Sequence, residues 1–396
     1  YRTTQGGQIC DLPRSTGGTP ADGSDDMNGI VPAPIAALPW RVIFILSALV
    51  GFGATVLYSA AGGNFEPWAG KHVIRFVILL AMAIAMSRMK LEFWKSMTFP
   101  LYLLLLVLLV VVQLMGFVGG GSQRWINLGI ITLQPSELMK PVMVLAAAWF
   151  FDRLPPNRIY GFDAIWPLGA ILLLPSILVI IQPDFDAAIA YAFGLGVVGF
   201  MAGLPLIYFI SAGVGVAVLA PLVFFFGLKA YQQDRVLIFL NPQNDPLGAG
   251  YHITQSKIAI GSGGIFGKGF GNGTQSHLDY LPEGHTDFVF ATMAEEWGIV
   301  GGFFILFMYY LLMRWGLSVA MQSKTRYGQL VAAGLTCTIF FYIMINLLMV
   351  VGLAPVAGIP LPFVSHGGSS MLTMMLCVGI MMSIERHPGA KRGQFQ

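Results

Sequence analysis

The chain has 396 residues, of which 56% are hydrophobic and only 10% charged, for a formal net charge of +3. A soluble domain carries about 25% charged residues, so this composition leaves too little polar surface for a dissolved globule and excludes a soluble enzyme. It reads instead as an all-α integral membrane protein that crosses the bilayer many times. Cys10, Cys337 and Cys377 stand far apart, two of them in apolar runs, and suggest neither a disulfide framework nor a metal cluster.

In chain order, residues 1–39 are rich in Gly, Pro, Ser, Thr and Asp and read as a disordered tail. No basic segment feeds an apolar run there, so a signal peptide is not expected. Ten apolar runs of membrane-crossing length follow, at about 40–60, 71–88, 94–116, 134–151, 163–182, 186–203, 205–228, 287–313, 327–351 and 366–385. The polytopic domain thus covers 40–386, and 387–396 form a second short tail. The fifth and sixth runs are parted only by Gln182-Pro183-Asp184-Phe185-Asp186.

Charge orients these spans. With the N-terminal tail in the cytoplasm, cytoplasmic segments hold Arg2, Arg14, Arg41, Arg88, Lys90, Lys95, Arg153, Arg158, Arg314, Lys324, Arg326, Arg386, Lys391 and Arg392. The short outer loops hold only Lys71 and Arg124. This asymmetry follows the positive-inside rule and predicts both termini in the cytoplasm, with the long 229–286 loop outside. That loop also carries Asp234, Arg235, Asp245, His252, Lys257, Lys268, His277, Asp279, Glu283 and His285. A polar insertion of this length points to function, and parts of it should lie on the outer membrane face as short amphipathic helices.

Asp287, in Gly284-His285-Thr286-Asp287-Phe288, stands where the chain re-enters the membrane. A carboxylate there marks proton handling or chemistry. The structural alternative is a helix N-cap, whose free N–H groups would hold it ionised with a lowered pKa. Glu137 and Lys140 share a helix face at i, i+3 spacing and should pair, because a lone ammonium one turn inside a span costs about 2.5–3.5 kcal/mol. Arg124-Trp125, after Gly119-Gly120-Gly121, combine an interfacial anchor with a group that could meet a phosphate. The Gly261–Gly269 region lacks the Walker pattern and its strand context, and reads as a flexible loop or a close approach to a lipid headgroup. His252, His277 and His285 show no metal-ligand spacing with Glu283 or Asp279. The 360–370 segment bends the chain into the last span with small residues suited to packing.

Taken together, Gly121-Ser122-Gln123-Arg124-Trp125, Gln134-Pro135-Ser136-Glu137, Gln182-Pro183-Asp184, the run from Asp245 to Gly264 and Leu281-Pro282-Glu283-Gly284-His285-Thr286-Asp287-Phe288 resemble the SEDS family (shape, elongation, division and sporulation). The likeness runs from about 40 to 386 and is stronger to the elongation branch than to the division branch. It implies a multi-pass bacterial inner-membrane glycosyltransferase that polymerises lipid II into peptidoglycan on the outer face. The implied partners are a class B penicillin-binding protein and the elongation complex, with no nucleic acid. Asp287 matches the family's catalytic aspartate and would act as general base. The expected substrate contacts are Arg124, Trp125, Glu137, Lys140, Arg235, Lys257, Glu283 and His285. The leaving pyrophosphate calls for positive charge, with Arg124, Lys140, Arg235 and Lys257 as candidates, and a divalent cation could serve the same end. Asp186 stands where the family has glycine, His366 where it has tyrosine, and Gly284 where it has arginine. A lipid II flippase or transporter, a division-type polymerase and an inactive scaffold are the alternatives. Absence of an internal repeat and the gathering of polar residues at the outer face disfavour transport.

Overall fold

A backbone in hydrocarbon must satisfy its own N–H and C=O groups, and the ten apolar runs do so as helices. The computed structural model describes residues 39–388, apart from 116, 120–121, 128–131, 228–232, 235–236, 240–247, 279 and 282. The long helices are α1 Trp40–Ala60, α2 Ala69–Met86, α3 Leu91–Met115, α4 Pro135–Arg153, α5 Phe162–Ile181, α6 Phe185–Ala202 and α7 Leu206–Leu222. After the loop come α8 Ala249–Gly263, the single turn α9 Thr274–His277, α10 Val289–Gln322, α11 Arg326–Val350 and α12 Gly368–Arg386. Among the described residues nine helices are long and apolar enough to cross a membrane. The tenth expected span, α4, is set apart by Glu137, Lys140, Asp152 and Arg153. The two predicted tails fall outside the described residues, apart from 39, 387 and 388.

Charge puts α4 at the centre rather than at the lipid. It packs against α3, α6 and α11 and buries nearly every residue from Met139 to Ala148. Small residues make this possible. A Cβ on Gly334 of α11 would stand 2.6 Å from Val144 of α4 and 2.7 Å from Val198 of α6, so the three backbones meet where side chains are absent. At the other extreme, α7 buries no residue and is apolar on all sides.

Between α3 and α4 lies a departure from the all-α expectation, a small antiparallel sheet of β1 Phe117–Gly119, β2 Ser122–Asn127 and β3 Thr132–Leu133, in that order. Phe117 pairs with Trp125, and Ile126 with Leu133. Part of the 229–286 segment is helical. Ile253, Ser256 and Ala259 of α8 are buried, and α8 packs on α10 and α11.

The glycine run takes the close-approach form, but its neighbour is a helix backbone. Gly298 breaks α10 with φ 62° and ψ −155°, a region only glycine occupies at low cost. The freed groups are paired with the run: Ile299 N–H donates to Gly264 O (3.0 Å), Val300 N–H to Ile265 O (3.2 Å), Lys268 N–H to Glu295 O (2.9 Å) and Gly269 N–H to Glu296 O (3.0 Å). Side chains add to the clamp, with Lys268 Nζ 2.6 Å from Glu295 Oε1 and Ser59 Oγ donating to Glu296 Oε1 (2.5 Å). A Cβ on Gly298 would fall 2.4 Å from Gly267 N. Gly298→Ala is therefore expected to cost at least about 1–3 kcal/mol, read as a lower unfolding midpoint and lower yield of the detergent-solubilised protein.

Candidate functional site

Polar side chains converge at the end of the bundle where α4, α6, α10 and α12 begin and α5 and α11 end. Pro135 opens α4, which fits a first-turn position whose N–H needs no partner. One turn on, Lys140 Nζ lies 2.5 Å from Glu137 Oε1, as the spacing foretold. The structure adds Tyr342 of α11, whose hydroxyl donates to Glu137 Oε2 (2.5 Å) and also accepts from Lys140 Nζ. The ammonium sits 4.5 Å from the Tyr342 ring centroid, adding a cation–π contact. With the Lys140 side chain 4% accessible and Glu137 14%, this is a buried pair whose charges are matched on the spot.

Arg124 reaches from β2 to the α5–α6 turn. Its Nε donates to Gln182 O (3.1 Å), its Nη2 to Pro183 O, and its Nη1 lies 3.7 Å from Asp184 Oδ1. Asp184 in turn accepts from Ser136 Oγ (2.9 Å) and Gln134 Nε2 (3.4 Å). Tyr191 OH donates to Ser136 O (2.8 Å), closing the network around the start of α4. Trp125 is half-buried beside Arg124 on the same strand.

Asp287 lies in the turn before α10. It is not the N-cap. Phe288 holds that position and no side chain caps the helix. The expectation of a lowered pKa is accordingly overturned. Burial, with Glu283 and Asp186 as like charges, pushes the Asp287 carboxyl from 3.8 up to about 7. The backbone oxygen of Asp287 accepts from Asn346 Nδ2 (2.8 Å), and Gly358, with φ 63°, comes so close that its Cβ would stand 3.6 Å from Asp287 Oδ2.

Neutral imidazoles border this turn. His285 stacks on Trp68 with centroids 4.1 Å apart, and its carbonyl accepts from His366 N–H (3.0 Å). Burial lowers the His285 pKa against the opposing pull of Glu283, whose Oε2 is 3.9 Å away. His366 is pushed down to about 4 by burial and by Arg75. Its Nε2 lies 3.3 Å from Arg75 Nη1, and since a guanidinium only donates, the neutral ring accepts.

Of the residues expected from sequence, the structure brings Glu283, His285 and Asp287 into one turn, and Glu137 and Lys140 into one pair. Lys257 of α8 lies against Gly352, just beyond the end of α11. Arg235 lies outside the described residues. Sequence reasoning missed Tyr342, Asn346, Trp68 and Arg75, and left Asp186 without a role. The available signal was a polar side chain inside an apolar span, which marks Tyr342, Asn346 and Arg75. Lys140→Ala strands Glu137 in the interior and is expected to cost about 3–5 kcal/mol, measured by thermal unfolding in detergent. Tyr342→Phe, which keeps the ion pair, should lower the midpoint by less.

Comparison with known proteins places this geometry. The FTSW_RODA_SPOVE family, described as cell cycle protein, matches residues 38–389. The peptidoglycan glycosyltransferase MrdB of Escherichia coli K12 is 42% identical over 351 residues, 87% of this chain and 93% of that one. A probable peptidoglycan glycosyltransferase FtsW of Trichlorobacter lovleyi is 34% identical over 367 residues, 89% of this chain and 94% of that one. Among solved structures, a chain from a peptidoglycan synthase complex that coordinates polymerization and crosslinking superposes with a TM-score of 0.77 at 30% identity, over 88% of this chain and 98% of that one. A motif-bearing turn at the end of a bundle of apolar helices, matched over nearly its whole length, thus makes the chain a member of the FtsW, RodA and SpoVE family, the SEDS proteins.

Proposed function

We propose that the chain is a peptidoglycan glycosyltransferase of the elongation type, polymerising lipid II at the outer face of the bacterial cytoplasmic membrane with Asp287 as general base. The observation that carries this reading is a half-buried carboxylate with acidic neighbours, Asp186 and Glu283. Higher identity to MrdB than to FtsW supports the elongation assignment. Lysines and arginines gather at the opposite ends of the helices, which supports cytoplasmic termini and an outward-facing site. The likeness to a chain of a synthase complex supports a class B penicillin-binding protein as partner.

In the proposed reaction the acceptor sugar's 4-hydroxyl attacks the anomeric carbon of the donor. The bond from that carbon to the pyrophosphate oxygen breaks, and the undecaprenyl pyrophosphate departs with the electron pair. The hydroxyl proton passes to Asp287. A base with a pKa of about 7 both accepts that proton and releases it to water near neutral pH. The leaving pyrophosphate needs cations. Lys140 and Arg124 are already tied to Glu137 and to Asp184 with its neighbouring carbonyls. Lys257 and Arg75 have no carboxylate within salt-bridge distance among the described residues, and they are the better candidates. Among the described residues no group of three or more His, Cys, Asp or Glu is arranged to hold a metal.

The test is polymerisation of fluorescent lipid II by the complex with its class B partner. Asp287→Asn should abolish the glycan ladder while the complex stays assembled. A ladder from that variant would sink the mechanism. In the parent, kcat/KM should fall about tenfold per pH unit below about 7 and level off above it, because the base must be ionised. Linkage gives an independent check. A carboxyl whose folded pKa is raised stabilises the fold at low pH and loses that contribution as pH rises through about 7. Asp287→Asn should therefore unfold at a higher temperature than the parent at pH 8, with the gap narrowing towards pH 5.

A further inference from the structure

We infer that Asn346 is a positioning residue for Asp287, a role that rests on the general-base reading above. Asn346 lies in the apolar helix α11 and is fully buried. An amide there is costly unless its groups are paired, and only its nitrogen is, since Oδ1 is buried without a hydrogen-bond partner among the described residues. Its Nδ2 donates to Asp287 O (2.8 Å) and to Ile359 O (2.7 Å). The reverse amide orientation would set its oxygen against two carbonyl oxygens, so these partners fix the assignment.

The two bonds clip together chain segments far apart in sequence. One is the Glu283–Phe288 turn. The other is the connection between α11 and α12, where Gly358 adopts φ 63° and lies against the Asp287 carboxylate. Asn346 thus holds the backbone of Asp287 and, through Ile359, the wall that faces its side chain. Tyr342 stands one helical turn earlier on the same face of α11 and grips the Glu137–Lys140 pair. A single helix face therefore sets the carboxylate turn against the start of α4. A purely structural amide would also satisfy two loop carbonyls, but it would leave the chemistry of the folded protein unchanged. That difference makes the two readings separable.

The measurement is steady-state lipid II polymerisation by the complex of the full chain with its class B partner, across pH, for Asn346→Ala, Asn346→Ser and Asp287→Asn. Thermal unfolding normalises each rate to folded protein. Asn346→Ala should lower kcat by about 10- to 100-fold, the scale of a 1 Å misplacement, with KM within about twofold. A loosened turn admits water to the carboxylate, so the acid limb of the pH profile should move below its parental position. Asn346→Ser keeps one donor, should recover part of kcat, and serves alone if Asn346→Ala does not fold. Parental kcat and an unmoved acid limb in a folded Asn346 variant, with Asp287→Asn inert, would overturn the positioning role and leave the base in place. An active Asp287→Asn would remove the base and the positioning role with it.

Discussion

Two opposite charges buried between helices must be neutralised where they stand, and the Glu137–Lys140–Tyr342 network does this at the contact of α4 with α11. The rest of the bundle is arranged around that requirement. A helix carrying Glu137, Lys140, Asp152 and Arg153 cannot face lipid tails, so it takes the centre and its apolar neighbours surround it. Its lower charges are met in kind, with Lys95 Nζ 2.5 Å from Asp152. Glycine and alanine at the α4, α6 and α11 contacts bring the backbones close enough for side chains to reach across.

Against this background Asp287 is the exception. Glu137 has Lys140, Asp152 has Lys95, Asp184 has Arg124 and Ser136, and Glu295 has Lys268 with Thr274 and Gln275. Those carboxylates are spent on architecture. Burial, followed by the like charges of Glu283 and Asp186, raises the proton affinity of Asp287. A carboxyl whose pKa is raised to about 7 is suited to exchange a proton at neutral pH. Asp186, which replaces the glycine expected for the family, contributes to that elevation.

What the sequence could disclose was local. Hydropathy located the spans because a helix in lipid is a property of its own residues. The Glu137–Lys140 pair was legible because both partners lie on one helix turn. Tyr342 and Asn346 were not, since each acts on a partner in another part of the chain and looks, in its own run, like an incidental polar residue. The N-cap reading of Asp287 failed because local rules pointed to free N–H groups, while the raised pKa comes first from burial by other parts of the chain, then from Glu283 and Asp186. The glycine run was read against absent lipid headgroups because its true neighbour, the break at Gly298, lies beyond the Thr274–Phe288 segment. The small sheet escaped notice because its strands are too short to show periodicity.

The break at Gly298 has a mechanical meaning. A continuous rod from Val289 to Gln322 would transmit every tilt of its membrane-crossing part to its tip, next to Asp287. The Gly263–Gly269 backbone instead braces the break from both sides, accepting from Ile299 and Val300 of the longer part and donating from Lys268 and Gly269 to Glu295 and Glu296 of the stub. A tilt of Ile299–Gln322 imposed by bilayer thickness therefore loads the brace as well as the stub, which also stands on α1 through Ser59 and Glu296. The Glu283–Phe288 turn at the tip thus rests on a braced joint, not on the end of a bare rod.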